Sequence, residues 1–241
     1  MNIQSNKYTY IYSIIIVLIV ATGLAVVATS LKPSQDKNVE IEKKQNILTS
    51  LRVTSDPSNA EPLYDKYITD SYTLNSKGEK ISGVDPFNIN LRNEMKKPAE
   101  ERNLPAFEAK VGDSTIIVIP VYGKGLWGPI WGYVSFYREP DVPEGKPHLN
   151  TIYGVMFDHK SETPGLGAEI NQPSFMSPFQ GKKIFDDQDE FVSVGVVKGG
   201  ADPSSAHEVD AISGGTITSK GLEEMLRVSL SPYEGYFKLN N

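Results

Sequence analysis

The chain of 241 residues contains no cysteine, and its basic side chains are outnumbered, 24 against 30 acidic, for a formal net charge of −6. The first absence excludes a disulfide framework, a thiolate nucleophile, a cysteine-ligated iron–sulfur cluster and a c-type haem attachment, though it does not choose a side of a membrane. The second disfavours nucleic acid or anionic lipid as a partner, because binding to either by bulk electrostatics needs clustered lysine and arginine. Histidine is scarce as well: His148, His159 and His207 lack H-E-x-x-H spacing, so no catalytic metal is implied. Neither a P-loop nor a G-x-G-x-x-G string before a helix is present, and nothing marks a nucleophile elbow. The acidic run Asp186, Asp187, Asp189 and Glu190 lacks the EF-hand pattern and reads as a solvated face.

What is present begins with an uncharged run from Tyr8 to Leu31. At ~1.5 Å per residue it is long enough to cross a ~30 Å hydrocarbon core with some tilt, and Tyr8, Tyr10 and Tyr12 suit the interface. A cleaved signal peptide would want a shorter apolar centre and a better small-x-small site than Ala28-Thr29-Ser30. A buried core helix would need protein on every side. The expected organisation is therefore a tail over residues 1–7, a transmembrane helix over 8–31, a helical stalk over 32–53 and a soluble domain over 54–241. Lys7 before the span against Lys32, Lys37, Lys43 and Lys44 after it argues for a cytoplasmic C-terminal part. That rule is calibrated on short loops and is weak for whole domains, so charge alone leaves the topology open.

In the stalk, Ile47, Leu48 and Leu51 form an apolar patch near the end. Residues 54–97 are punctuated by Pro, Asn, Asp, Ser and Gly and yield no element. Strand signals follow at TIIVIPVY from Thr115, WGYVSFY from Trp131, TIYGVMFDH from Thr151 and VSVGVV from Val192. The proline-rich REPDVPEGKPHLN between the second and third reads as a surface connection. Short strands with few helical runs between them predict an α+β domain with a mixed or antiparallel sheet and flanking helices. A closing helix is predicted from Leu222, Met225, Leu226 and Leu230, with Thr218 or Ser219 as its cap and Pro232 as its stop.

The loop before that helix, Asp210-Ala-Ile-Ser-Gly-Gly-Thr216, could seat a phosphate. A helix N-terminus offers unpaired N–H groups and the positive end of a dipole, and glycines let amides close around an anion. The same composition also suits a helix entry that binds nothing. A second loop, Glu162-Thr163-Pro164-Gly165-Leu166-Gly167, suits a tight turn with positive φ at Gly165. Trp127 and Trp131 could flank a ring system, but a tryptophan pair beside a strand is more often core.

The string DAISGGTITSKG resembles the flavinylation motif of membrane-anchored FMN-binding subunits, and ETPGLG matches a second signature of that family. The LKPSQDKN string after the span is similar to the C subunit of the Na+-translocating NADH:quinone reductase. The resemblance implies that Thr216 is esterified to the FMN phosphate, with Ser213, Gly214 and Gly215 around that phosphate. It implies that Asp210 is read by a flavin transferase which takes FMN from FAD. Gly215 departs from the family, which usually has Ala there. Glu162, Thr163, Gly165 and Leu166, with Lys198 from VVKGGA, are placed at the flavin, where a lysine would stabilise an anionic reduced ring.

The resemblance further implies an electron-carrying flavoprotein subunit on the periplasmic side of a bacterial inner membrane, working with the other subunits of a complex that takes electrons from NADH to quinone and moves Na+. Alone it would not oxidise NADH, since no nicotinamide fingerprint is present. The G subunit of the related Rnf electron-transport complex is the nearest alternative. A membrane-tethered protein holding a phosphate-bearing ligand without a covalent bond is the alternative of another class.

Overall fold

The computed structural model describes residues 5–140, 142–143 and 145–239. Residues 1–4 of the expected tail, and Asp141 and Glu144 of the proline-rich connection, lie outside the described residues. The chain divides into two compact units, one through Lys43 and one from Lys44 onward. The first belongs to helix α1 (Asn6–Ser50), which runs on through Pro33 and is long and apolar enough to cross a membrane.

The second unit takes up the end of α1, where Ile47, Leu48 and Leu51 are fully buried. It continues with α2 (Ala60–Tyr67), β1 (Ile68–Leu74), β2 (Lys80–Ile81), α3 (Leu91–Glu94), β3 (Leu104–Val111), β4 (Ser114–Lys124), β5 (Pro129–Tyr137) and β6 (Ile152–His159). After these come α4 (Pro173–Met176), β7 (Gly195–Val197), β8 (Glu208–Asp210), α5 (Thr216–Leu230) and α6 (Glu234–Phe237). The first six strands form one sheet in the order β2-β1-β3-β4-β5-β6, antiparallel throughout, and β7 pairs with β8 in parallel. The stretch without a readable element, residues 54–97, supplies α2, β1, β2 and α3.

Both faces of the sheet are covered. Along β4, Ile116 and Val118 join a core with Ile47, Leu51 and Phe107, while Ile117, Ile119 and Val121 face a larger core with Leu222, Met225, Leu226 and Leu230 of α5. Alternate side chains of a strand point to opposite faces, so a strand buried on both sides reads as an unbroken apolar run.

Helix α5 approaches β4 closely because glycines meet at the crossing. A Cβ on Gly123 would stand 2.5 Å from the Met225 Cβ, and one on Gly221 would collide with the Lys124 carbonyl oxygen. This crossing holds the start of α5 at the same end of the sheet as the β4–β5 hairpin, residues 125–128, and the loop that leaves β6. The helix begins at Thr216, earlier than a cap at Thr218 or Ser219 would require. Gly215 is the N-cap residue, and Ser219 N–H already donates to the Gly215 carbonyl at 2.9 Å. Thr218 and Ser219 are buried, with their hydroxyls bonded inside the protein instead of capping.

Candidate functional site

Three loops meet at the start of α5, and one carboxylate ties them together. Glu162, which follows β6, is 4% exposed. Its Oε2 accepts the Thr218 hydroxyl at 2.5 Å, and its Oε1 accepts Trp127 N–H at 2.8 Å. Burial pushes the Glu162 pKa up. The Thr218 hydroxyl and the backbone N–H groups of Trp127, Gly128 and Leu126 outweigh burial and hold it below the ordinary carboxylate value. Glycine is needed on both sides of this contact: a Cβ at Gly125 would lie 2.6 Å from Glu162 Oε1, and one at Gly167 would lie 2.6 Å from Oε2. Glu162 therefore shapes the site through the loops it joins, and its own oxygens are spent on protein donors.

The Thr163-Pro164-Gly165-Leu166 segment is a tight turn, with Leu166 N–H donating to the Thr163 carbonyl at 3.1 Å and Gly165 at φ +74°. Positive φ is the reason for glycine at this third position. The turn lies against the loop that leads into α5. Gly214 has φ +75°, and a Cβ there would stand 2.6 Å from Leu166 Cδ2. Gly215 is buried, and a Cβ on it would stand 2.9 Å from Ile212 Cγ2. A glycine at 215, where the related motif usually carries alanine, thus fits a place that Ile212 has narrowed.

Thr216 is the first residue of α5 and is half-buried, while Ser213 and Gly214 are exposed. Among the described residues no side chain caps this helix end, which leaves first-turn amides available to an anion. Thr216 and Thr218 are two positions apart and so lie on different sides of the helix. Thr218 is 2% exposed and its hydroxyl is committed to Glu162. Of the two threonines, Thr216 is the one a ligand can reach.

Lys198 comes near the loop before α5 by another route. It follows β7, whose Val197 pairs with Asp210 of β8, and Ala211 N–H donates to the Val197 carbonyl at 2.9 Å. Asp210 is exposed, and its Oδ1 accepts Ala201 N–H at 2.6 Å, so this carboxylate fastens the Lys198-Gly-Gly-Ala loop to the chain leading into Ser213. Lys198 itself is exposed. The side chain of Thr163 is exposed and is not among the groups Glu162 gathers.

The tryptophans do not form a core pair. Trp131 is half-buried on β5, whereas Trp127 is 67% exposed at the tip of the hairpin loop, held there by its backbone bond to Glu162. Leu126 and Leu166 on the joined loops and Ile217 in the first turn of α5 are also exposed large apolar residues. An uncapped helix end beside apolar side chains is a fitting seat for a phosphate attached to a flat ring system. The bonds from Trp127 N–H and the Thr218 hydroxyl to Glu162 were hidden in the sequence; the Thr-x-Thr spacing, which turns one hydroxyl inward, was the available signal.

Comparison with known proteins agrees with this geometry. Residues 125–231, which span all three loops and the body of α5, match a family model described as the FMN-binding domain. The chain is 30% identical to the C subunit of a Na(+)-translocating NADH-quinone reductase of Vibrio anguillarum, over 92% of its own length and 89% of the relative's. It is 31% identical to the protein of that name from Pasteurella multocida, over 89% and 86% of the two lengths. A crystal structure of the C subunit from Parabacteroides distasonis is similar at a TM-score of 0.76 and 42% identity, covering 88% of this chain and 98% of that one. Shewanella oneidensis NqrC is similar at a TM-score of 0.66 and 26% identity, covering 82% and 95%.

Proposed function

Since the chain belongs to the family of C subunits of the Na+-translocating NADH-quinone reductases, we propose that it is the subunit that carries FMN through a phosphoester to the Thr216 hydroxyl and relays electrons inside that membrane complex. FMN, when bound, supplies one- and two-electron redox chemistry. The chain supplies the seat. Thr216 presents the acceptor oxygen at an uncapped helix start, and the Gly214-Gly215 pair leaves the space a side chain would fill. Leu166 and Trp127 offer apolar surface, and Lys198 offers a cation on an adjoining loop.

A threonine hydroxyl is a weak nucleophile without an activating base. The buried carboxylate in this corner, Glu162, is turned toward Thr218, while Glu169 and Asp210 accept the backbone N–H groups of Gly165 and Ala201. The chain is therefore the substrate of a flavin transferase, and Asp210 acts in that recognition by holding the loop in register. Covalent attachment fixes the ring beside its redox partners and prevents its loss, which matters most on the periplasmic side of the inner membrane, where the soluble domain works beside the other subunits.

The observation that carries this reading is the contrast between the two threonines, one open at the helix start and one sealed against Glu162. Denaturing electrophoresis under ultraviolet light tests it. Chain from cells that possess the transferase gives a fluorescent band, Thr216→Val gives a dark one at unchanged thermal stability, and fragmentation of the wild-type peptide finds the FMN mass on Thr216. A dark wild-type band would support a reversibly held phosphate ligand instead, and a fluorescent Thr216→Val band would refute the assignment of the acceptor.

A further inference from the structure

A second concave feature adjoins the flavin loops and plays no part in the seat described above. It is an open groove of about 770 Å³ between α5, the end of β4, the start of β5 and the segment around α3. Tyr122, Met225 and Val228 line its floor. Its rim carries Arg92, Lys96, Lys124 and Lys160, all exposed, and none of the four makes an ion pair among the described residues. Glu224 also lines the groove, but Arg227 holds its carboxylate through both Nε, at 3.1 Å, and Nη2, at 2.7 Å. A domain whose chain is acidic overall, with a net charge of −6, thus gathers four unneutralised cations around one apolar floor.

The arrangement of charge and apolar surface identifies the occupant. A small anion would be held by donors deep in a pocket, whereas here the charges stand on the rim and the floor is apolar. Protein interfaces have this anatomy: an apolar anchor seated centrally, ringed by solvent-accessible charges that steer the approach and set the register. The groove shares Gly128 with the hairpin that Glu162 joins to α5, so a partner seated there lies beside the flavin loops. We infer that this groove docks an acidic segment of a neighbouring subunit, with an apolar side chain inserted over Met225 and Val228 and carboxylates meeting Lys96, Lys124 and Lys160. The inference takes from the proposed function only that the chain works inside a multi-subunit assembly.

The test uses the full-length chain in its complex, purified through a tag on a different subunit. The combined Lys96→Glu, Lys124→Glu and Lys160→Glu variant should be retained about tenfold less than wild type. Raising salt from ~0.1 M to ~0.5 M should release the wild-type chain progressively. The matching triple Gln variant, which adds no repulsion, should fall between the two and respond less to salt. A photo-reactive residue at position 228 should cross-link, within the purified complex, to a peptide rich in Asp and Glu. The fluorescent flavin band should stay at wild-type intensity in every variant. Retention of both triple variants at the wild-type level would overturn the inference. So would normal retention with a lost flavin band, since the groove would then serve the loading enzyme. A dark band in the wild-type chain would count against the covalent flavin and leave the retention ratios readable.

Discussion

The Thr218 hydroxyl donates to Glu162 Oε2 at 2.5 Å across a buried contact between residues 56 positions apart in sequence. Through this bond the first turn of α5 is tied to the loop after β6. Through Oε1 the same carboxylate takes in the hairpin at Trp127. Thr216, the proposed acceptor, is thus positioned by a charge on Glu162 that bonds its neighbour Thr218 instead.

Glu162→Ala should destabilise the full-length chain by about 3 kcal/mol, because it strands a buried hydroxyl and several backbone amides that now share one acceptor. Glu162→Gln keeps an acceptor oxygen and should lose less. Thermal melting in detergent measures both, and slower appearance of the fluorescent band should accompany the loss. An unchanged melt for Glu162→Ala would mean that the three loops hold together without it. Since the folded pKa of Glu162 is depressed, its contribution is fully present above about pH 4.3 and disappears as pH falls through the lower folded value.

His148 should produce a pH dependence in a different window. Burial, followed by the nearby Arg138 cation, pulls its pKa down to about 4, and the Phe237 carbonyl opposes this only in part. The unfolded chain therefore binds the extra proton between about pH 4 and its ordinary value near pH 6.5. Stability is fully present above that ordinary value and is lost as the pH drops toward the folded one. The melting temperature should decline between about pH 7 and pH 5, and His148→Asn should flatten that decline. An equal slope in the variant would assign the effect to other groups.

The two acceptor-loop glycines should respond differently to alanine. Gly214 sits at φ +75° with Leu166 Cδ2 in the way, so Gly214→Ala combines strain and collision and should cost on the order of 2 kcal/mol with loss of flavin loading. Gly215 has an ordinary φ of −101°, and its nearest obstacle is the branch of Ile212, at 2.9 Å, with the Leu166 carbonyl carbon next at 3.3 Å. Gly215→Ala should cost about 1 kcal/mol, and Ile212→Leu, which removes the branch at Cβ, should restore loading in the double variant. Quantified band intensity and melting temperature decide both cases.

Lys198→Met should lower the flavin midpoint potential by about 30 mV, equivalent to ~1.4 kcal/mol for a two-electron couple, because the lost cation favours the anionic reduced ring. A spectroscopic redox titration of the loaded chain reads this directly. An unmoved potential would place the lysine away from the ring.

Alkaline phosphatase fused after Asn241 should be active in cells, since its disulfides form only on the oxidising side of the inner membrane. An inactive fusion that is nevertheless abundant would place the domain in the cytoplasm, as the lysine count around the span suggests.

Much of the central sheet was legible because β4, β5 and β6 are buried on both faces and spell long β-branched and aromatic runs. By contrast β1, ITDSYTL, buries only Tyr72, Thr73 and Leu74, and β2 has two residues. Neither carries enough alternation to be seen, so residues 54–97 give no strand signal. The start of α5 lies before the hydroxyls that could cap it, because glycine stands at the cap. The Ser-Gly-Gly-Thr string before α5 and the Thr163–Leu166 turn were visible as motifs. The bond between Glu162 and Thr218 was not, because no local period links residues brought together only by the packing of a helix on a strand at Gly123 and Gly221.

The place of α5 after the strands and loops it packs against has a bearing on biogenesis. The ribosome delivers the hairpin at Trp127 and the turn at Leu166 before Thr216, and it must still add the residues through Leu230 that press this helix onto β4. A product truncated before Leu230 would lack the packing that holds the start of α5 in place. Were FMN esterified to Thr216, as proposed above, yellow colour on this polypeptide would report that synthesis ran through α5 and that tertiary structure followed.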